Sequence, residues 1–390
     1  MKKRLIITLL FSIFFLLGCD TFIVSPLVPL IASSFNIAAS SGGYLVTAYS
    51  ILYVIFSPLL GPISDKVGRK KMMVIGTFIF SIASLATGIA PNYILTIIAR
   101  AFTGVGAACA APNVWAYIGD YFDYKERGRV TAIIASALSL GMILGVPIGS
   151  FLAQLMHWET CFYVLAVVSF LVSISIYAYF PDKKTTDSSN TNYLHQFIKV
   201  FKVKSVVFSF LVTLFIAVAN LGLYTFLGFW LDKQFNLKVS DVGLFLIFAG
   251  FGNVCGVQLG GILSDKFSKK KTIIASSLLL VTALILLPIF GNNIFLAAID
   301  VFLWLGSGGA AFSVMQVLIT QLSSAQRGTV MAVNNSFMWL GTASGSAIVS
   351  FLIAHFNFAA ATSVCALSAL IASVILAVFI HECISIKESV

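Results

Sequence analysis

An eleven-residue motif occurs twice in this chain, 200 positions apart. It reads GPISDKVGRKK at residues 61–71 and GILSDKFSKKK at residues 261–271, and 6 of the 11 positions are identical. The same offset relates RGRVTA at residues 127–132 to RGTVMA at residues 327–332. A constant offset over this distance indicates an internal repeat, and a period this long predicts two domain-sized halves rather than a solenoid.

Composition places the chain in a membrane. Hydrophobic residues make up 59% of its 390 residues, charged residues only 10%, and the mean hydropathy is +1.01. A soluble domain carries about 25% charged residues, so this chain cannot cover a water-facing surface. A net charge of +10 also occurs in nucleic-acid-binding proteins, but here the basic residues lie in short loops between apolar stretches. We therefore expect a multi-pass protein in a lipid bilayer, without a nucleic acid partner.

Twelve apolar segments follow one another along the chain. Each is near the length of about 20 residues that a helix needs to cross hydrocarbon, and in lipid the backbone must be satisfied within the segment. The predicted spans are residues 5–31, 42–63, 73–90, 94–119, 129–153, 160–180, 205–231, 241–263, 273–290, 294–320, 328–354 and 359–381. The predicted fold class is an all-α polytopic membrane protein of two pseudo-symmetric six-helix bundles. The bundles comprise residues 1–180 and 205–390, joined by a polar linker at 181–204.

Lysine and arginine positions predict the orientation. With the N-terminus in the cytoplasm, inside segments hold 21 of the 24 Lys and Arg residues. The outer loops hold only Lys233 and Lys238, and Arg100 lies within a span. This is the positive-inside pattern. It places both termini, the linker and both copies of the motif on the cytoplasmic side of a plasma or inner membrane.

The start of the chain allows two interpretations. KKR, an apolar run and LLGC ending at Cys19 are similar to a lipoprotein signal peptide. The apolar core of a signal peptide has only about 7–15 residues, whereas this run continues past Cys19, so we favour an uncleaved first helix. The six cysteines form no CxxC pair and no His/Cys cluster, so we expect neither disulfides nor a metal site.

Three charged residues lie within or at the edge of apolar spans. A charge in the bilayer centre costs about 2.5–3.5 kcal/mol or more, and therefore usually serves function. Asp20 lies deep in the first span, and Arg100, in the fourth, needs a partner for which Asp20 is the natural candidate. We predict that Asp20 carries a proton and that Arg100 tunes it; alternatively, Asp20 is a structural hydrogen-bonding group. Asp300 is either a second coupling carboxylate or, as its shallow position favours, a structural residue.

The repeated motif carries a resemblance to a known family. Twelve spans in two parallel halves, with the motif after span 2 and a decayed copy after span 8, resemble the major facilitator superfamily. The positions that match its signature are Gly61, Asp65, Lys66, Gly68, Arg69 and Lys70. Arg100, Gly104 and Gly106 match a second signature in span 4.

A third signature resembles the twelve-helix drug:proton antiporters. It is the Gly/Pro-rich motif of span 5, matched in part by Gly141, Gly145, Pro147 and Gly149. The variant GVPIG is more similar to the sugar- and purine-efflux branch of these antiporters than to their multidrug branch. The pairs Gly141/Gly145 and Gly341/Gly345 let helices approach closely. We interpret them as a sliding interface between the halves, with tight packing without motion as the alternative.

The resemblance implies that the motif latches the halves in an outward-facing state. Gly61 and Gly68 permit a tight turn. Basic residues of the motif are expected to pair with Asp120, Asp123 or Glu126 at the end of span 4; otherwise they set topology alone. The predicted gating residues are Gly61, Asp65, Lys66, Gly68, Arg69, Lys70, Asp120 and Asp265.

A solute cavity is expected at the midplane between the repeats. Its polar and aromatic candidates are Tyr49, Asn113, Trp115, Tyr117, Asn220, Tyr224, Asn253, Gln258, Gln316, Asn334 and Trp339. Aromatic walls with few charges suit apolar or amphipathic solutes. Each residue alone is otherwise a helix-packing residue.

The favoured function is a proton-coupled antiporter that exports drug-like or small metabolite solutes by alternating access, as in multidrug efflux and antibiotic resistance. One alternative is a proton-coupled or facilitative importer of a sugar or nucleoside; another is a non-transporting membrane sensor. An enzyme is disfavoured, since no P-loop, metal cluster or Ser-His-Asp candidate occurs, and no cofactor is expected. The family default is a monomer.

We expect Asp65→Asn to lower the turnover of a transported solute more than its binding, because the resemblance assigns Asp65 to the latch rather than to the cavity. Transport rate and solute affinity of the reconstituted protein measure the two effects separately. Unchanged turnover would leave these charges with topology alone.

Overall fold

The computed structural model describes residues 2–181, 201–322 and 327–380, and in this part of the chain twelve long helices form the fold. They are α1 (Lys2–Ser34), α2 (Gly43–Val67), α3 (Arg69–Ile89), α4 (Tyr93–Tyr121), α5 (Tyr124–Leu140, Gly141–Gly145 and Val146–Leu155), α6 (Trp158–Tyr179), α7 (Lys204–Ala217, Val218–Gly222 and Leu227–Phe235), α8 (Val239–Lys266), α9 (Lys269–Leu286), α10 (Ile294–Leu322), α11 (Arg327–His355) and α12 (Phe358–Phe379). Each corresponds to one predicted span. The predicted fold class is confirmed.

Eleven of the described helices are long and apolar enough to cross a membrane. The other is α9, which has 18 residues and begins with the three lysines Lys269–Lys271. Two helices contain a wider π-type turn, at Gly141–Gly145 in α5 and at Val218–Gly222 in α7. Such turns rotate the following segment relative to a regular helix, and they are frequent at functional sites.

The repeated motif is mostly helical, contrary to the predicted loop. α2 continues through Val67 and α3 begins at Arg69, so that the turn consists of Gly68 alone. Gly68 has a φ of +101°, which an L side chain rarely adopts. Gly61 lies within α2 and takes no part in the turn. The side chain of Asp65 and most of the predicted linker, residues 182–200, lie outside the described part of the chain.

Each half packs around its own core. One buried cluster draws its members from residues 6–180. Two others draw theirs from residues 206–380, apart from Met142 and Val146 of α5. In a bilayer, association of helices depends on close packing rather than on the hydrophobic effect. The fold is thus two helix bundles whose interiors are built separately.

The two glycine pairs pack inside the halves rather than between them. A Cβ on Gly141 would lie 2.7 Å from the backbone nitrogen of Cys19 in α1, and one on Gly145 would lie 2.1 Å from its Sγ. A Cβ on Gly341 or Gly345 would meet the backbone of α7 in the same half. The predicted sliding interface at these glycines is therefore wrong. They permit close helix packing within each bundle.

The hydrogen bonds described here join the halves at one end of the bundle. We call this the outer end, defined by the α1–α2 connection at residues 35–42; the inner end is defined by Gly68. The Ser25 hydroxyl donates to the Tyr224 carbonyl (2.7 Å) and accepts from the Gly228 amide (3.1 Å). Three further contacts nearer this end join Thr47 to Ser346 (2.7 Å), Ser350 to the Ser40 carbonyl (2.5 Å) and the Ser240 amide to Gln154 (2.9 Å).

Glycines bring the halves together at the outer end. A Cβ on Gly228 of α7 would lie 2.3 Å from the Ser25 carbonyl oxygen, and one on Gly43 of α2 would lie 2.7 Å from the Ser346 carbonyl oxygen. Both obstacles are backbone atoms, which cannot turn aside as a side chain can. A side chain at either position is therefore incompatible with this closed arrangement.

We expect Gly228→Ala to open the outer end. The hydroxyl groups of Thr47 and Ser346 lie 2.7 Å apart. In a Thr47→Cys, Ser346→Cys protein, the two thiols should therefore form a disulfide when the outer end is closed, which reports the closure. Gly228→Ala should lower the disulfide yield. Gly119→Ala is the matched control, since a Cβ there would meet nothing within 4 Å. Equal yields in the two variants would show that the outer end accommodates a Cβ.

Candidate functional site

A buried ion pair joins α1 to α4. The Arg100 guanidinium donates through Nη1 to Asp20 Oδ1, and the two side chains are 1% and 0% exposed. Their second polar atoms, Asp20 Oδ2 and Arg100 Nε, are buried without a hydrogen-bond partner among the described residues. The sequence predicts this partnership. A pair this deep and this incompletely bonded is costly to maintain for stability alone, because desolvation of two charges offsets much of their attraction.

Two aromatic rings support the cation. The Cζ atom of Arg100 lies 5.2 Å from the ring centre of Tyr49 in α2 and 5.7 Å from that of Phe162 in α6. A cation over an aromatic face gains electrostatic stabilisation, of about 2 kcal/mol or more when desolvated. The guanidinium is thus held by one carboxylate and two rings from three different helices.

The span-4 glycines explain how α4 reaches this position. A Cβ on Gly104 would lie 2.1 Å from the Tyr49 carbonyl oxygen, and one on Gly106 would lie 2.6 Å from the Phe80 amide nitrogen. α4 therefore touches α2 and α3 backbone to backbone. This close approach, one turn beyond Arg100, brings the guanidinium against the Tyr49 ring.

The aromatic contacts continue into the other half. The Tyr49 ring centre lies 5.2 Å from that of Trp339 in α11, and the Tyr53 ring centre lies 4.9 Å from it. Trp339 packs against the core of the N-terminal half. Tyr49 and Tyr53 are both 2% exposed. Tyr49 therefore does not line an open cavity here; it lies in contact with the ion pair and with the second half.

The sequence predicts a shallow position near water for Asp300, but the structure buries this residue in α10. It is 2% exposed, and its Oδ2 has no hydrogen-bond partner among the described residues. The indole nitrogen of Trp304, one turn later, is likewise buried without such a partner. The structure does not bring Asp300 to the Asp20–Arg100 pair.

The remaining cavity candidates separate into three groups. Asn113, Asn220 and Asn334 are buried, each with an Oδ1 that lacks a hydrogen-bond partner in the described structure, as does the Tyr224 hydroxyl. An unpaired buried polar atom costs about 1–3 kcal/mol, so these four are suited to meeting water or a solute.

The residues of the second group form hydrogen bonds within their own half. Asn253 donates to the Leu305 carbonyl (3.3 Å), and Gln316 accepts from Asn334 (3.0 Å). The third group consists of Gln258, which is exposed on α8, and of Trp115 and Tyr117 of α4. Trp115 contacts the ring of Phe14, and Tyr117 contacts the rings of Tyr121 and Phe180.

Two of the predicted gating residues, Arg69 and Lys70, contact neighbours in the N-terminal half, and Lys66 is exposed. Arg69 donates to Ser64 and lies 3.4 Å from Asp120, the contact that the sequence predicts. Lys70 lies over the Tyr177 ring at 5.7 Å. Glu126, a predicted partner of the motif, instead pairs with Lys3 at 2.8 Å. In the second half, Asp265 and Lys266 are exposed.

Sequence reasoning missed three residues of the site. Tyr53 lies one helical turn from Tyr49, so the i, i+4 spacing on α2 could have indicated it. Phe162 and Ser25 carry no signal of this kind, because a Phe or a Ser in an apolar span is ordinary.

Pro147 of the span-5 motif faces the other half, where a Cβ on Gly243 would lie 3.2 Å from its Cα.

The model of the Major Facilitator Superfamily matches residues 10–306 and 210–382. The chain belongs to this superfamily. It is 31% identical over 347 residues to "Uncharacterized MFS-type transporter YceJ" of Bacillus subtilis, covering 89% of this chain and 88% of the relative. It is 25% identical to "Multidrug resistance protein 1" of the same organism, covering 90% of each.

A solved major facilitator structure has the same fold. It is the crystal structure of a D-xylose–proton symporter, with a TM-score of 0.83 and 18% sequence identity, covering 98% of this chain and 99% of that one. The fold and the membership in a transporter superfamily therefore agree. The buried ion pair and the closed outer end are the two features on which we base a transport mechanism.

We expect Arg100→Met to destabilise the protein strongly. It leaves the Asp20 carboxyl buried without its partner, and breaking a buried pair costs about 3–5 kcal/mol. Thermal unfolding of the purified protein in detergent measures the loss. The double variant Arg100→Met, Asp20→Asn removes both charges and should recover most of it. A double variant no more stable than Arg100→Met would show that the pair's charges are not the cause.

Proposed function

We propose that this major facilitator protein is a proton-coupled antiporter that exports drug-like or small metabolite solutes by alternating access. The proton site is Asp20, and Arg100 is the residue that tunes it. The proposal rests chiefly on one observation, the buried Asp20–Arg100 pair with its incomplete hydrogen bonding. An intramembrane charged pair at a helix interface is a typical feature of proton pathways.

The charge state of Asp20 would be linked to the solute. With Asp20 ionised, the pair is neutral overall. With Asp20 protonated, the guanidinium keeps its positive charge against an uncharged carboxyl and the Tyr49 and Phe162 rings. The two states differ by one charge in a site shielded from water, where electrostatic differences are large. Such a difference is what a ligand-driven shift between two conformations requires.

We infer that the closed outer end belongs to an inward-facing state. We infer from the placement of lysines and arginines that the inner end faces the cytoplasm, with both termini there. In this state the Ser25, Thr47 and Ser350 contacts hold the halves together on the outside. Outward opening must break them while the halves rock about the midplane.

The solute class follows from the relatives and the lining. A relative of 25% identity is named as a multidrug resistance protein. The unpartnered Oδ1 atoms of Asn113, Asn220 and Asn334 and the Tyr224 hydroxyl would supply a few polar contacts beside aromatic surface. Such a lining suits amphipathic molecules of drug-like size. Neither an enzyme activity nor a cofactor is part of this proposal.

We expect liposomes with an acidic lumen to accumulate a transported solute above its concentration in the medium. Protons leaving an antiporter drive solute inward whichever way the protein is inserted, whereas an importer by symport requires the medium to be acidic. Ethidium, a nucleoside and a sugar are suitable first probes. Accumulation only with an acidic medium would establish the importer instead.

In the same assay, Asp20→Asn should abolish gradient-driven accumulation, because an amide cannot exchange a proton at this site. Asp241→Asn is the matched control, since Asp241 is exposed at the start of α8. Asp300→Asn decides between a second coupling carboxylate, whose loss also abolishes accumulation, and a structural one. Accumulation that persists in Asp20→Asn would remove the proposed proton role.

A further inference from the structure

Two aromatic side chains of the C-terminal half, Phe229 and Trp339, pack against the core of the N-terminal half. Trp339 lies midway along α11, is partly buried, and packs against the N-terminal core cluster. Phe337, two residues earlier on the same helix, stacks instead on Phe210 of its own half, with ring centres 5.3 Å apart. Because successive side chains of a helix point in different directions, α11 presents these two rings to different bundles.

Trp339 is one contact away from the ion pair. Its ring lies 5.2 Å from that of Tyr49, and the Tyr49 ring lies 5.2 Å from the guanidinium carbon of Arg100. The Arg100 guanidinium in turn donates to Asp20. A continuous set of four side chains therefore runs from the Asp20 carboxyl to a helix of the opposite half.

We propose that Trp339 is the positioning residue through which the arrangement of the two halves responds to the charge of Asp20. This inference rests on the proposed function of Asp20. When Asp20 loses its charge, Arg100 depends more on the Tyr49 ring, because an aromatic face is then among its few remaining electrostatic contacts. Trp339 fixes that ring only while α11 lies against α2, so the charge at Asp20 and the position of the second half become linked.

The other groups at this point are compatible with such a link. Among the described residues, the titratable side chains that interact electrostatically with Asp20 or Tyr49 are Arg100, Tyr53 and the neighbouring Cys19. Trp339 adds a ring without a charge from the opposite half. The stabilisation of the cation is therefore modulated by the position of a ring rather than by a second ion.

A double-mutant cycle tests the link without knowledge of the solute. Spin labels on Met156→Cys and Phe356→Cys, exposed residues after α5 and α11, report the opening of the outer end by their distance. Cys255 and Cys383 are first replaced by serine. Asp20→Asn, which mimics the uncharged carboxyl, should change the ratio of closed to open molecules by about fivefold or more. In a Trp339→Leu background the same substitution should change it little.

Three variants separate the outcomes. Trp339→Phe keeps a ring and should retain most of the response, and Phe337→Leu, the control on the same helix, should retain all of it. Tyr49→Leu, which removes the intermediate ring, should abolish the response as Trp339→Leu does. If Trp339→Leu does not fold, Tyr49→Leu is used in its place.

Failure of the inference and of the proposed function differ in this experiment. If Asp20→Asn shifts the distances equally with and without the Trp339 and Tyr49 rings, the coupling runs elsewhere and the inference is overturned, while the role of Asp20 stands. If Asp20→Asn shifts nothing even with both rings present, the proton role of Asp20 and the inference fall together.

Discussion

The Asp20–Arg100 pair is the constraint on which the rest of this structure depends. Two charges sit where the bilayer would otherwise exclude them, and they remain there because α1 and α4 meet at this point. The glycines of α4 let it approach α2 and α3 closely enough to place the guanidinium on the Tyr49 ring. The packing of the N-terminal half is arranged around one ion pair.

The contacts inside each half differ in kind from the contacts between the halves. Inside each half, glycines fit against neighbouring backbone, as Gly141 does against Cys19, and such contacts leave no room for movement. Between the halves lie a few hydroxyl and amide hydrogen bonds and close glycine contacts at the outer end, and the rings at the midplane. Each such hydrogen bond contributes only about 0.5–1.5 kcal/mol, in keeping with our proposal that the halves separate while each remains intact.

The sequence predicts the twelve helices and the Asp20–Arg100 partnership because these depend on linear signals, namely apolar length, the placement of lysines and the rarity of charge in a span. It does not predict which neighbour a helix face meets. Gly141 and Gly145 are predicted to lie between the halves but lie within one, because the packing of α5 against α1 and the π-type turn at these residues have no linear signal. The contact of Trp339 with Tyr49 and Tyr53 has no linear signal, because it joins residues almost 300 positions apart.

We propose that protonation of Asp20 and closure of the outer end are linked. Infrared difference spectroscopy measures this directly, using the Thr47→Cys, Ser346→Cys protein at a fixed pH before and after the disulfide locks the outer end. The account predicts a change in the intensity of the carboxylic acid C=O band on locking, and its absence when Asp20 is also replaced by Asn. An unchanged band on locking, or the same change without Asp20, would contradict it.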